Sequence, residues 1–293
     1  MTPADPAGSR EGQRVTWVGA GANAILVAAK FVLGILGRSQ ALIADAVHSV
    51  SDLATDAVVL LGVRAGRREP DQDHHFGHGR IETLASAVVG IALIAVAAFL
   101  AYDAGTNIYR HAHYHPNWLA VLGAAVSIII KEVLYHYTVR AGRRIKSPVV
   151  VANAWHHRSD ALSSVAVLIG VGAAQINPEW HILDAYAALV VALLIFSVGA
   201  RIIWKAVKEV TDTAPPPEIL ENMRACARGV PGVIEEHDLK VRSSGGVYHL
   251  HIHITVKGDL NVREGHAIAK NVEKCLLSDI ENVGEVIVHV DPE

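Results

Sequence analysis

Soft metal ligands are nearly missing from this chain: it has two cysteines, Cys226 and Cys275, and two methionines in 293 residues. Two cysteines allow at most one disulfide. Both fall in a stretch that reads as a soluble domain on the cytoplasmic side, where thiols stay reduced, so we read them as ordinary packed thiols. An excess of one charge sign is also missing. With 26 Lys and Arg against 29 Asp and Glu, the net charge is −3, and the pI near 6.6 leaves no basic footprint for nucleic acid. There is no HExxH helix, no internal repeat and no low-complexity tract. Charged residues make up 19% of the chain against 51% hydrophobic ones. What is abundant is histidine, 17 residues that come in clusters.

The apolar excess lies before about Trp204, and the remainder has a soluble balance. We therefore expect a membrane protein with a soluble appendage. Six apolar segments, about Val15–Leu36, Ala41–Val63, Glu82–Gly105, Trp118–Tyr137, Val149–Ile176 and Ile182–Trp204, are each long enough to cross ~30 Å of hydrocarbon. Residues 1–13 read as a disordered tail, 14–208 as the six-span domain and 209–293 as the soluble domain, with Ala214-Pro-Pro-Pro217 a stiff boundary. Arg10 and Arg14 before an apolar run resemble a signal peptide, but the run is long and holds Lys30, which predicts a retained first helix. Arg64, Arg67, Arg68, Arg80, Arg140, Arg143, Arg144, Lys146, Arg201, Lys205 and Lys208 flank one set of loops, and only Arg38 and Arg110 the other. That asymmetry puts both termini in the cytoplasm. Beyond the prolines the pattern reads as helix (Glu218–Arg228), strand (His237–Arg242), strand (Val247–Val256), helix (Val262–Ser278) and strand (Glu285–Val290). This αββαβ order makes a small α+β layer.

The second span is the anomaly. It carries Asp45, His48, Asp52 and Asp56 at spacings of three, four and four, which gathers them into one stripe. An ionisable residue at mid-bilayer costs ~2.5–3.5 kcal/mol on insertion scales, so four on one helix need a function. His156 and Asp160 in the fifth span repeat the spacing of His48 and Asp52. Two imidazoles and two carboxylates make a tetrahedral set for zinc, with His157 able to replace His156 at i, i+3. The same donors suit Cd2+, Co2+ or Fe2+, and the lack of thiolate or thioether argues against copper(I). Asp71, His74 and His78 in the second-to-third loop can hold another ion, with His75 the weaker ligand. His249, His251 and His253 alternate along one strand and share a face. His111, His113 and His115 read as an interfacial segment. Lys131 and Glu132 in the fourth span, adjacent and so about 100° apart, are expected to pair with groups on other helices, in the neighbourhood of Asp45, rather than with each other.

Five motifs in order, ADAVHSVSD, HHFGHGRIE, KEVLYHYT, HHRSDALSS and VHVDP, resemble the cation diffusion facilitators from about Gly19 to Pro292. The resemblance implies a homodimer of six-span protomers with metallochaperone-like cytoplasmic domains, exporting a divalent metal against protons by alternating access across the inner membrane. The transport ligands it implies are His48, Asp52, His156 and Asp160, with Asp45 and His157 as further candidates, and the loop site is Asp71, His74 and His78. For the soluble domain it implies a cluster of His237, His253, His266, His289 and Asp291, with His251 a possible addition. Arg80 and Asp212 match a charge pair that locks the two protomers. The two-His, two-Asp quartet resembles the zinc branch, while one bacterial branch has Asp where His48 stands. Arg-Arg-Ile-Lys replaces the long His-rich loop of many eukaryotic members, which points to a prokaryotic protein. We therefore expect Zn2+ as substrate and regulator, no organic cofactor and no enzymatic activity. The alternatives are export of Fe2+, Co2+, Cd2+ or Mn2+ by the same fold, and a metal-gated channel or sensor. An intramembrane hydrolase is disfavoured because four protein ligands leave no open position on the metal.

Overall fold

The computed structural model describes residues 6–66, 70–110, 115–145 and 148–293, with the backbone alone at 6–13, 16, 55–66, 148–149, 152 and 178. Asp56 and Arg64 thus have no described side chains, and Arg67, Arg68, His111, His113 and Lys146 lie outside the described residues. Six long helices come first: α1 (Pro6–Gly37), α2 (Gln40–Gly66), α3 (Gly79–Tyr109), α4 (Trp118–Arg144), α5 (Pro148–Ile176) and α6 (Ile182–Val210). In hydrocarbon every backbone group must be paired within its own segment, which is why such apolar runs become uninterrupted helices. Five of them, all but α2, are long and apolar enough among the described residues to cross a membrane. The first helix begins at Pro6 rather than after a disordered tail of 13 residues. Proline suits a first helical turn, where its missing N–H has no partner to lose.

The chain divides into two compact units, Met1–Ala57 with Val89–Ala200, and Val58–Val88 with Arg201–Glu293. In the first unit, Arg38 adopts a left-handed φ of 51° within the two-residue link between α1 and α2. The start of α2 is then held by a carboxylate. Asp184 of α6 accepts from Ser39 Oγ at 2.6 Å and from the Gln40 N–H at 2.8 Å, and Ser39 Oγ accepts from the Leu42 N–H at 3.0 Å. Free N–H groups and the positive end of the helix dipole favour an anion at this point. Close helix packing rests on small residues, as is usual between membrane helices. At Gly123 of α4 a Cβ would come within 2.6 Å of Leu42 and 3.1 Å of Leu33, so only glycine lets α1, α2 and α4 meet there.

In the second unit the order α7 (Pro217–Arg228), β1 (Glu235–Ser244), β2 (Val247–Val256), α8 (Val262–Asp279) and β3 (Val283–Pro292) reproduces the expected αββαβ. The sheet order is β1-β2-β3. β1 and β2 form an antiparallel hairpin through Gly245 and Gly246, whose φ values of 60° and 75° favour glycine. β3 runs parallel to β2, which requires the α8 crossover. Leu250, Ile252, Ile254 and Val256 of β2 form a core with Met223 and Ala227 of α7 and Val272 and Leu276 of α8. The histidines of β2 alternate with these residues and so lie on the opposite face.

The two cysteines are not free thiols in this structure. Cys226 of α7 and Cys275 of α8 form a disulfide, with Cα atoms 6.2 Å apart. The two helices pack side by side over the sheet and bring together residues 49 apart in sequence, which a reading by compartment alone does not see.

Candidate metal centre

Ligand atoms of His48, Asp52 and Asp160 lie within 4.8 Å of one another. The i, i+4 spacing aligns the first two on α2, and Asp160 arrives from α5. His48 Nδ1 and Asp52 Oδ2 are buried without a hydrogen-bond partner. Buried polar atoms are normally paired, and orphaned ones call for an explanation such as an ion. His156 Nδ1 lies 3.6 Å from Asp160 Oδ1, so the fourth predicted ligand stands beside the third. His157 faces elsewhere. It is 3% exposed, both ring nitrogens are without a partner, and a Cβ on Gly19 of α1 would touch its Nε2 at 3.2 Å. Consecutive helical residues point about 100° apart, so only one of the two histidines can serve the α2 side.

Two lysines occupy this interior, and Lys131 and Glu132 each pair with α5 rather than with each other. Lys131 of α4 binds Asp160 Oδ2 at 2.6 Å, not Asp45. Its neighbour Glu132 meets Arg158 of α5 at 3.6 Å. Asp45 is taken by Lys30 of α1 at 2.7 Å, and it also accepts from Ser163 Oγ at 2.8 Å and Ser164 Oγ at 2.7 Å. Lys30 donates in turn to Ser49 and Ser164 at 3.1 and 3.2 Å. With three donors on its carboxylate, Asp45 is fully paired within the protein. The apolar length of α1 hid Lys30 as a candidate partner.

The loop triad also converges. Asp71 meets His74 Nδ1 and His78 Nε2, each at 3.3 Å, and the two rings are 4.3 Å apart. The turn is pre-formed by the Asp71 carboxylate, which accepts from the backbone N–H of His74 at 2.7 Å and of Asp73 at 3.0 Å. Those bonds, the His74 N–H above all, hold the Asp71 carboxyl below its ordinary range. His78 Nδ1 is buried without a partner, and His75 is exposed. Arg80 donates to Asp212 at 2.8 Å, with both side chains about half exposed. This pair closes within one protomer. His115, the described member of the outer-loop trio, packs edge-on against His181 at 5.2 Å.

In the soluble domain the strand register aligns His237, His253 and His289 across three strands, with rings 5.3 and 4.5 Å apart. Asp291 serves all three. It lies 3.0 Å from His253 Nδ1, 3.3 Å from His237 Nε2 and 3.1 Å from His289 Nε2. The bond to His253 and the neighbouring rings keep the Asp291 carboxyl below its ordinary range. Its stabilising contribution is therefore present above the usual carboxylate pKa and is lost only as pH falls through the lower folded value. Asp238, overlooked in the sequence, sits at a register shift with φ 47° and approaches His253 Nε2 at 3.8 Å. His266 stands exposed on α8, and His251 is exposed beside the row. Neither belongs to the group of side chains gathered on Asp291.

Two family models account for nearly all of the chain. Residues 16–210 match the cation efflux transmembrane domain, and residues 215–293 match the cation efflux protein cytoplasmic domain. The manganese efflux system protein MneP of Bacillus subtilis is 32% identical over 92% of this chain and 93% of its own length. The magnetosome protein MamB of a Magnetospira species is 36% identical over 90% of this chain and 89% of its own. Metal tolerance protein C1 of Arabidopsis thaliana is 35% identical over 96% of this chain and 63% of its own. With both domain models matched in order and relatives aligned along almost its full length, this chain belongs to the cation diffusion facilitator family of multi-pass cation efflux proteins.

Proposed function

We propose that this protein exports a divalent metal, zinc foremost, in exchange for protons, as a homodimer of six-span protomers working by alternating access. The observation that carries the reading is the approach of His48, Asp52 and Asp160 to within 4.8 Å, from two helices, inside an apolar bundle. His156, 3.6 Å from Asp160 but outside that trio in the structure, is the fourth ligand in this reading. Two imidazoles and two carboxylates suit zinc, and also cadmium, cobalt or ferrous iron. A relative is named for manganese efflux. The two imidazoles here favour a softer ion than manganese, which prefers oxygen donors.

Zinc needs neutral imidazole and ionised carboxylate, so metal and protons compete for the same atoms. Histidine is the side chain whose ordinary titration falls within the physiological range, which makes His48 and His156 the exchange groups in this reading. Lys131 supplies a further element. Its ammonium on Asp160 neutralises the metal-free site and has to move away as the cation arrives. Positive charge on one set of loops supports cytoplasmic termini in a prokaryotic inner membrane. Asp71, His74 and His78 act as a peripheral site, and Arg80–Asp212 steadies the protomer near its dimer contacts.

The test is zinc flux into proteoliposomes with and without an imposed pH gradient. Antiport requires uptake that rises with a gradient driving protons the opposite way. Flux indifferent to the gradient points to the runner-up, a metal-gated channel. The histidine row is read as a cytoplasmic sensor. At zinc one hundredfold above Kd, mass action should stabilise the fragment 215–293 by ~2.7 kcal/mol, seen as a higher Tm. Asp291→Ala should remove most of that gain. An unchanged wild-type Tm in saturating zinc would leave the row a wet sheet face.

A further inference from the structure

The disulfide between α7 and α8 sits beside a third potential ligand. Asp279 follows Cys275 by one helical turn, so both side chains face the same way. Its Oδ2 lies 3.8 Å from Cys275 Sγ, while Oδ1 is bonded to Ser278 Oγ at 2.8 Å. One carboxylate oxygen is thus turned toward the sulfurs and the other is held. The two cysteines are half-buried, and Asp279 is exposed at the end of its helix. Both sulfurs rest against the helix side of the domain core, on the other side of the sheet from the row of His237, His253 and His289. A metal held here is therefore independent of that row.

We propose that Cys226, Cys275 and Asp279 form a second cation site in this domain, a dithiolate–carboxylate site for a thiophilic divalent ion such as cadmium or zinc, available only when the two sulfurs are reduced. The Cα separation of 6.2 Å allows two cysteines either to share a disulfide or to bind one ion. A dithiol reductant supplies two electrons and two protons to the S–S bond and leaves as its own disulfide. The metal then displaces both thiol protons and bonds to two sulfurs and one Asp279 oxygen, with water in the fourth position. Oxidation withdraws both thiolates together, so the oxidised domain keeps its histidine row and loses this site. A cytoplasmic domain rests in the reduced, metal-accepting form.

The chain has two cysteines in total, so any sulfur-to-metal charge-transfer band must arise from this site, and the histidine and carboxylate sites cannot contribute to it. The experiment titrates the full chain, reduced in detergent under nitrogen, with Co2+ or Cd2+ and follows that band. The expected result is a band whose final intensity corresponds to one thiolate-bound metal per chain, whatever the other sites take up, absent from the oxidised protein and lost in Cys275→Ser. In Asp279→Asn the band persists, with half-saturation raised about tenfold or more, since losing a direct ligand costs no less than losing an outer-shell partner. No band in the reduced wild type would overturn the site. An unshifted Asp279→Asn titration would overturn the three-ligand assignment. Transport is not read in this experiment, so its outcome is separate from that of the antiport test.

Discussion

Asp52→Asn should stop metal flux and leave the protein as heat-stable as before, while Asp160→Ala should remove flux and stability together. The difference follows from what each carboxylate touches. Asp52 Oδ2 is buried without a partner, so an isosteric amide orphans no opposite charge and removes only a metal ligand. Asp160 holds Lys131 at 2.6 Å, and that lysine is 2% exposed. Removing one partner of a buried ion pair typically costs ~3–5 kcal/mol, a large share of the ~5–15 kcal/mol available to a folded domain. Adding Lys131→Met to Asp160→Ala should restore most of the stability, because two apolar side chains leave nothing uncompensated, and should restore none of the transport. Loss of one ligand should lower flux at limiting zinc by at least ~10–100-fold. Thermal unfolding in detergent and flux in proteoliposomes separate the two effects. Near-normal flux in Asp52→Asn would remove this site from the mechanism, and an undiminished Tm in Asp160→Ala would show that Lys131 does not depend on its partner.

The second large effect is expected one turn away. Asp45→Ala should destabilise the protein by about 3–5 kcal/mol, again by stranding a buried ammonium. Lys30 and Asp45 are 1% and 0% exposed, and Ser163 and Ser164 donate to the same carboxylate. This network ties α1, α2 and α5 together just beside the ligands, since Asp45 precedes His48 by three residues and Ser163 follows Asp160 by three. The double variant Lys30→Met/Asp45→Ala should recover most of the loss. Four proteins, wild type, each single variant and the double, make a thermodynamic cycle by chemical or thermal unfolding. Effects that add within ~0.5 kcal/mol would mean the two residues are energetically independent, contrary to the geometry.

The local elements of this protein were legible because each has a strong one-dimensional signature. Uninterrupted apolar runs in lipid have no option but helix, and the period-2 pattern of Val247–Val256 predicted β2 to the residue. The pairs His48/Asp52 and His156/Asp160 were visible because one helical turn is a fixed spacing, and the Asp71, His74 and His78 triad because a short loop keeps near neighbours together. The sequence alone thus determined the helices, the strands and the ligand types on each.

Which residues meet across elements was decided by the tertiary structure. Strand register put His237, His253 and His289 in one row and left His266 on α8 outside it, and register depends on how whole strands pair. Helix rotation turned His156 toward Asp160 and His157 toward Gly19. Packing depth matched Lys30 with Asp45 and Lys131 with Asp160, because a buried charge requires a partner at its own level in the bundle. The pairing of Cys226 with Cys275 needed two helices, 49 residues apart, to lie side by side. Residue type and spacing are properties of the chain, whereas charge compensation and sulfur proximity are properties of distance in space, and distance exists only once the elements have packed.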